Sequence, residues 1–132
     1  MGANTDKDPD FTDDFCAFLQ RSVTNVDAAE LLLLLVQHPG TAWQPHELVA
    51  RLQSVTALVE TDVQRHLDLF ERSGLVSREP EQRVRYRAGA EAGHVAALAR
   101  LYLERPVTLF RVIYALRDAK ISTFADAFNL RR

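Results

Sequence analysis

The chain has 132 residues and a mass of 14.9 kDa, enough for one domain with a real core. Hydrophobic residues make up 47% and charged residues 26%, which excludes disorder over most of the length; the longest apolar run, Leu31 to Val36, falls far short of the roughly 18 residues of a membrane span. The formal net charge of -2 argues against a chain that binds nucleic acid by bulk charge.

That sum hides an asymmetry. Residues 1–30 carry seven acidic and two basic side chains, a net of -5, and the rest of the chain, with fourteen basic and eleven acidic, stands at +3. The start, MGANTDKDPDF, lacks the basic and apolar segments of a signal peptide, which predicts a cytoplasmic protein. Residues 1–10 are expected to be a flexible acidic tail and 11–132 a single domain. Cys16, the one cysteine, excludes an intramolecular disulfide and a multi-cysteine zinc site.

In chain order, Thr12 followed by Asp13 and Asp14 predicts a capped helix over about Asp13 to Val23, with Phe15, Phe18 and Leu19 as its apolar stripe. Thr24 and Asp27 have the spacing of a capping box, and Ala28 to Gln37 is a strongly helical run closed by His38-Pro39-Gly40. Its five consecutive leucines suggest a helix at the centre of the fold. A short extended piece around Trp43 leads to Pro45 at a first-turn position, then Leu48, Val49 and Leu52 form the buried face of a third helix. After a break at Gln53 to Ala57, a fourth helix is expected from Glu60 to Arg72, with Val63, Leu67 and Phe70 inward and Gly74 as its left-handed terminator.

The period then switches from helical to alternating. Leu75 to Arg78 and Arg83 to Arg87 read as two strands joined by the turn Glu79 to Gln82, with Val84 and Tyr86 on one side and Arg83, Arg85 and Arg87 on the other. Helix returns over Glu91 to Glu104, breaks at Arg105-Pro106, resumes over Val107 to Arg117, and ends in a short helix from Ser122 to Leu130. The predicted class is mainly α with a small β-hairpin, α+β.

The order helix, short strand, helix, helix, hairpin is that of a winged helix-turn-helix. The stretch from Ala28 to Arg87, about 60 residues, resembles the core of MarR-type and ArsR-type bacterial transcriptional regulators. The likeness is carried by Trp43-Gln44-Pro45-His46-Glu47-Leu48-Val49 at the entry to the first motif helix, by Val63-Gln64-Arg65-His66-Leu67 in the recognition helix, by Leu67 to Phe70 with Gly74-Leu75-Val76 at its end, and by Arg83 to Arg87 in the returning strand. The resemblance implies a winged-helix core over 28–88, C-terminal dimerisation or partner helices over 91–130, and a homodimer that lays a helix in the major groove of double-stranded DNA, reading a palindromic site.

Side-chain chemistry then selects candidates. Opposite the core stripe lie Thr61, Arg65, Asp68 and Arg72, with Asp62 and Gln64 on the flanks. Arg65 suits guanine, Gln64 adenine, and Thr61 a phosphate or thymine methyl. Arg83, Arg85 and Arg87 are candidate phosphate contacts, and Arg72 is a further DNA-binding candidate. Against this, Glu60, Asp62, Asp68 and Glu71 outnumber the two arginines of the same helix; they suit its dipole and repel phosphate. The competing reading is therefore an adaptor whose winged helix and apolar C-terminal helices dock a protein. The nearly all-apolar helix Val107 to Arg117 is expected to give the dimer interface through Leu109, Phe110, Val112, Ile113, Tyr114 and Leu116, or else to be covered by residues 11–23 and 122–130. A third reading is a ligand-responsive regulator with Phe110, Tyr114, Phe124 and Phe128 lining a cavity. His38, His46, His66 and His94 have no ligand spacing, His66 is expected beside the core stripe and Cys16 inside it, and no catalytic motif or phosphate loop occurs. No enzyme activity, metal, cofactor or membrane association is expected.

Overall fold

The structure, a computed structural model, describes residues 8–87 and 89–117. It is mainly helical, with six α-helices and a three-stranded antiparallel sheet among the described residues. The described residues divide into two compact units: Asp27–Ala92, and 8–26 together with 93–117. The predicted helix Ser122 to Leu130, with Phe124 and Phe128, lies outside the described residues.

In the first unit, α2 (Val26–Gln37) buries Ala28, Ala29, Leu31, Leu32, Leu34 and Leu35. It starts two residues before the sequence expectation, and Asp27, assigned there to a capping box, instead accepts the Thr56 hydroxyl at 2.9 Å. The two-residue strand β1 (Ala42–Trp43) precedes α3 (Pro45–Leu52), whose Pro45 occupies the first turn. There the Gln44 backbone N–H donates to Glu47 Oε1 at 2.7 Å, satisfying one of the donors a helix start leaves open.

Next, α4 (Glu60–Arg72) has the predicted bounds and packs on α3, with Val63, Leu67 and Phe70 buried. It ends at Gly74, whose φ of 77° is the left-handed conformation that an L side chain adopts only with strain. Strands β2 (Val76–Glu79) and β3 (Arg83–Tyr86) follow, with Val76 opposite Tyr86 and Arg78 opposite Val84. Both strands are one residue displaced or shorter than expected. The connection is a tight 3-10 turn, Pro80–Gln82, with Glu81 and Gln82 at positive φ. β1 adds to the free edge of β3 through Ala42–Arg85 and Trp43–Val84, giving the order β1-β3-β2.

The second unit contains α1 (Asp13–Ser22), α5 (Ala92–Glu104) and α6 (Pro106–Leu116). The Thr12 hydroxyl caps α1 by accepting the Phe15 N–H at 3.2 Å. α6 packs on α1, and Gln20 Nε2 donates to the Leu116 carbonyl at 3.2 Å. Asp8 and Asp10 are paired with two arginines of this unit. Arg105 donates to Asp8 and Asp10 at 2.8 to 3.0 Å and stacks on Phe11, while Arg100 reaches Asp10 at 2.6 Å. Hydrogen bonding from these guanidinium groups holds both aspartates below the usual carboxylate range. Charge opposition within one unit is the physical reason that these two aspartates are held.

The expected dimer residues do not form one exposed surface. Leu109, Val112, Ile113 and Leu116 are buried within the chain itself, because α6 turns that face inward against α1. Phe110 is half-buried, with its ring edge-on to Tyr102, and Tyr114 is exposed. Exposed apolar area on these helices belongs instead to Leu103, Val107 and Tyr114. Among the described residues no helix is long and apolar enough to cross a membrane.

Candidate nucleic-acid interface

The core stripe of α4 determines what its other face presents. With Val63, His66, Leu67 and Phe70 turned inward, Thr61, Arg65, Asp68 and Arg72 are exposed and Gln64 is half-exposed. On the hairpin, Val84 is buried, Arg83, Arg85 and Tyr86 are half-exposed and Arg87 is exposed, so of the predicted inward pair Val84 and Tyr86 only Val84 is enclosed. α4 and β2 pack together, and an open cleft of about 350 Å³ between helix and hairpin is lined by Gln64, Asp68, Arg78, Glu79 and Gln82.

Most of the basic groups here are engaged by carboxylates. Arg65 Nη2 donates to Asp62 Oδ1 at 2.9 Å. Arg85 meets Glu79 at 2.6 Å and also donates to the Gly40 carbonyl. That hydrogen bond from Arg85 holds the Glu79 carboxyl below its ordinary range. Arg83 is 3.5 Å from Glu81 and 3.8 Å from Glu47, and reaches the Ala42 carbonyl. These contacts give Arg83 and Arg85 a structural role in joining β3 to its neighbours, which alternation alone does not reveal.

Sequence reasoning missed Arg78. It donates to Asp68 at 2.7 Å and to Glu71 at 3.0 Å, fastening β2 to α4. The available signal was positional: Arg78 shares a strand face with Val76, and a charge on an inward face requires partners. The four acids of α4 therefore all have local work. Glu60 accepts from Gln64 Nε2 at 3.4 Å, Asp62 from the Val59 N–H and Arg65, and Asp68 and Glu71 from Arg78.

Residues 60–87 hold six acidic and six basic residues, so the helix-hairpin face is neutral. The whole Asp27–Ala92 stretch, with ten acidic and seven basic, is at -3. The positive excess seen after residue 30 comes from residues 93–132, with seven basic and three acidic side chains.

His66 is buried beside the core stripe, as expected, and its Nδ1 has no hydrogen-bond partner among the described residues. Desolvation, reinforced by the Arg65 charge and opposed by Asp62 and Asp27, holds this imidazole below the usual histidine range. The unfolded chain therefore takes up the proton first as pH falls. Stability from the neutral form is complete above the ordinary histidine pKa of about 6.5 and declines below it. Urea midpoints followed through Trp43 should fall between about pH 7.5 and 5.5, and His66→Leu should lessen that fall; equal falls in parent and variant would refute the assignment.

Cys16 is fully buried, and among the described residues no three His, Cys, Asp or Glu side chains are placed to hold a metal ion. No protein-family model, curated protein or solved structure matches the chain.

Proposed function

We propose that the chain is a winged helix-turn-helix transcriptional regulator that binds double-stranded DNA as a homodimer. The observation that carries this reading is the placement of Thr61, Gln64 and Arg65 together on the solvent face of α4, which runs from α3 into an antiparallel hairpin. A helix so flanked presents its outer side chains to the major groove while the hairpin meets the adjacent backbone. Gln64 matches adenine, Arg65 guanine, and Thr61 a thymine methyl or phosphate. Arg72 and Arg87, both exposed, are the phosphate contacts, whereas Arg83 and Arg85 serve the sheet first. Homodimerisation is assigned to the α6 residues left in solvent, Val107 and Tyr114.

A neutral face gives little electrostatic attraction, so specificity rests on few contacts and binding depends on only a few released counterions. The test is selection of full-length protein on randomised duplexes, with the oligomeric state measured in parallel. Replacing Thr61, Gln64 and Arg65 together by alanine should abolish base preference. Arg72→Ala and Arg87→Ala should each lower the log-log salt slope by about 0.9 without changing preference.

A second reading is a winged-helix adaptor that docks protein, favoured by the carboxylates closing Arg65, Arg78, Arg83 and Arg85 and by the -3 balance of Asp27–Ala92. A stoichiometric partner on purification, with no duplex shift at low salt, would decide for it.

A further inference from the structure

Asp62 stands at the junction between the cap of α4 and its candidate reading face. One carboxylate oxygen, Oδ2, accepts the Val59 backbone N–H at 3.3 Å, and the other, Oδ1, accepts Arg65 Nη2 at 2.9 Å. Asp62 is 33% exposed and Arg65 66%, so the carboxylate is the more enclosed partner and the arginine stands mostly in solvent. A long arginine chain in solvent samples many rotamers, and most of them reach phosphate as readily as a base. Anchored through the backbone on one side, Asp62 ties the guanidinium near the first turn of the helix and leaves its other N–H groups for a ligand.

We propose that Asp62 is a positioning residue that sets Arg65 for bidentate recognition of guanine, making this pair the main determinant of base preference. This rests on the DNA-binding reading above. Two physical effects act together. The ion pair orders Arg65 before binding, so less rotamer freedom is lost in the complex. The carboxylate also offsets the arginine charge and repels nearby phosphate, which lowers affinity for every sequence alike and raises the difference between right and wrong bases. The acid that opposes bulk DNA affinity is thereby an element of selectivity.

The test is a competition between full-length parent and Asp62→Ala on a randomised duplex pool, then on two duplexes differing at the selected guanine. The parent should favour guanine at one position per half-site. Asp62→Ala should reduce that preference about two- to fivefold, the scale of an exposed ion pair that orders the arginine, while binding of random duplex holds or rises. Asp62→Asn, which keeps an acceptor for the cap and loses the charge, should retain part of the preference, and it carries the test if the alanine variant does not fold. Unchanged preference in folded Asp62 variants would overturn the proposal. So would an equal loss of affinity on all duplexes with a lower melting temperature, because that is a purely structural role. If the parent binds no duplex, the DNA-binding reading fails first and the inference falls with it.

Discussion

Phe70→Ala should cost about 3–5 kcal/mol of stability, the range for truncating a fully enclosed phenylalanine, because lost transfer energy adds to an incompletely filled cavity. Phe70 is 0% exposed and sits in the last turn of α4, just before the chain turns through Gly74 into β2. The cavity would open beneath the outer face that carries Arg65 and Asp68. Small domains are stable by only about 5–15 kcal/mol, so this one truncation removes a large share and carries the fold close to its limit. Trp43, the single tryptophan, lies on β1 in the same unit, so its fluorescence in urea reports the loss directly. Thr61→Ala, on the opposite face, should leave the midpoint within about 0.5 kcal/mol of the parent. A loss below about 1 kcal/mol for Phe70→Ala would mean that α4 is not seated as described.

That asymmetry between the faces of α4 also explains what was legible in the sequence. Helix bounds were readable where the chemistry is local. Thr12 accepts a backbone N–H within its own turn, Pro45 needs only a first-turn position, and Gly74 needs only its own φ. The stripe Val63, Leu67 and Phe70 was readable because helical period and burial are the same information. The ion pairs were not. Asp68 and Arg78 are ten residues apart, and Glu79 meets Arg85 only because the register puts Glu79 opposite Arg83, with Arg85 two residues along β3 on the same face. Counting α4 alone gave an acidic helix, since the cation that answers Asp68 and Glu71 comes from the next strand. The same limit applied to α6, whose nearly continuous apolar composition does not specify which residues α1 covers. Likewise Asp8 and Asp10 gain order from Arg105 and Arg100, nearly a hundred residues later in the chain.

On the proposed DNA-binding reading, the pairing has a consequence larger than any single arginine deletion. Asp68 and Glu71 stand half in solvent, and an amide still offers Arg78 and Arg85 an acceptor, so exchanging the carboxylates for amides should cost little stability while weakening the hold on both cations. In the variant Asp68→Asn, Glu71→Gln, Glu79→Gln, Arg78 and Arg85 lose their carboxylate partners, and residues 60–87 move from neutral to +3. Each additional phosphate met by arginine adds about 0.9 to the log-log salt slope. Two freed arginines should then make affinity fall about tenfold more steeply than the parent's between about 50 and 200 mM salt, with binding to random duplex strengthened at the low end. Base preference should weaken, since the gain is blind to sequence. Restoring the charge at Glu79 alone should return about half of the slope, because it recaptures Arg85 and leaves Arg78 free. Should the slope stay at the parent value in a folded triple variant, the helix-hairpin face does not meet phosphate, and the protein-docking reading would take its place.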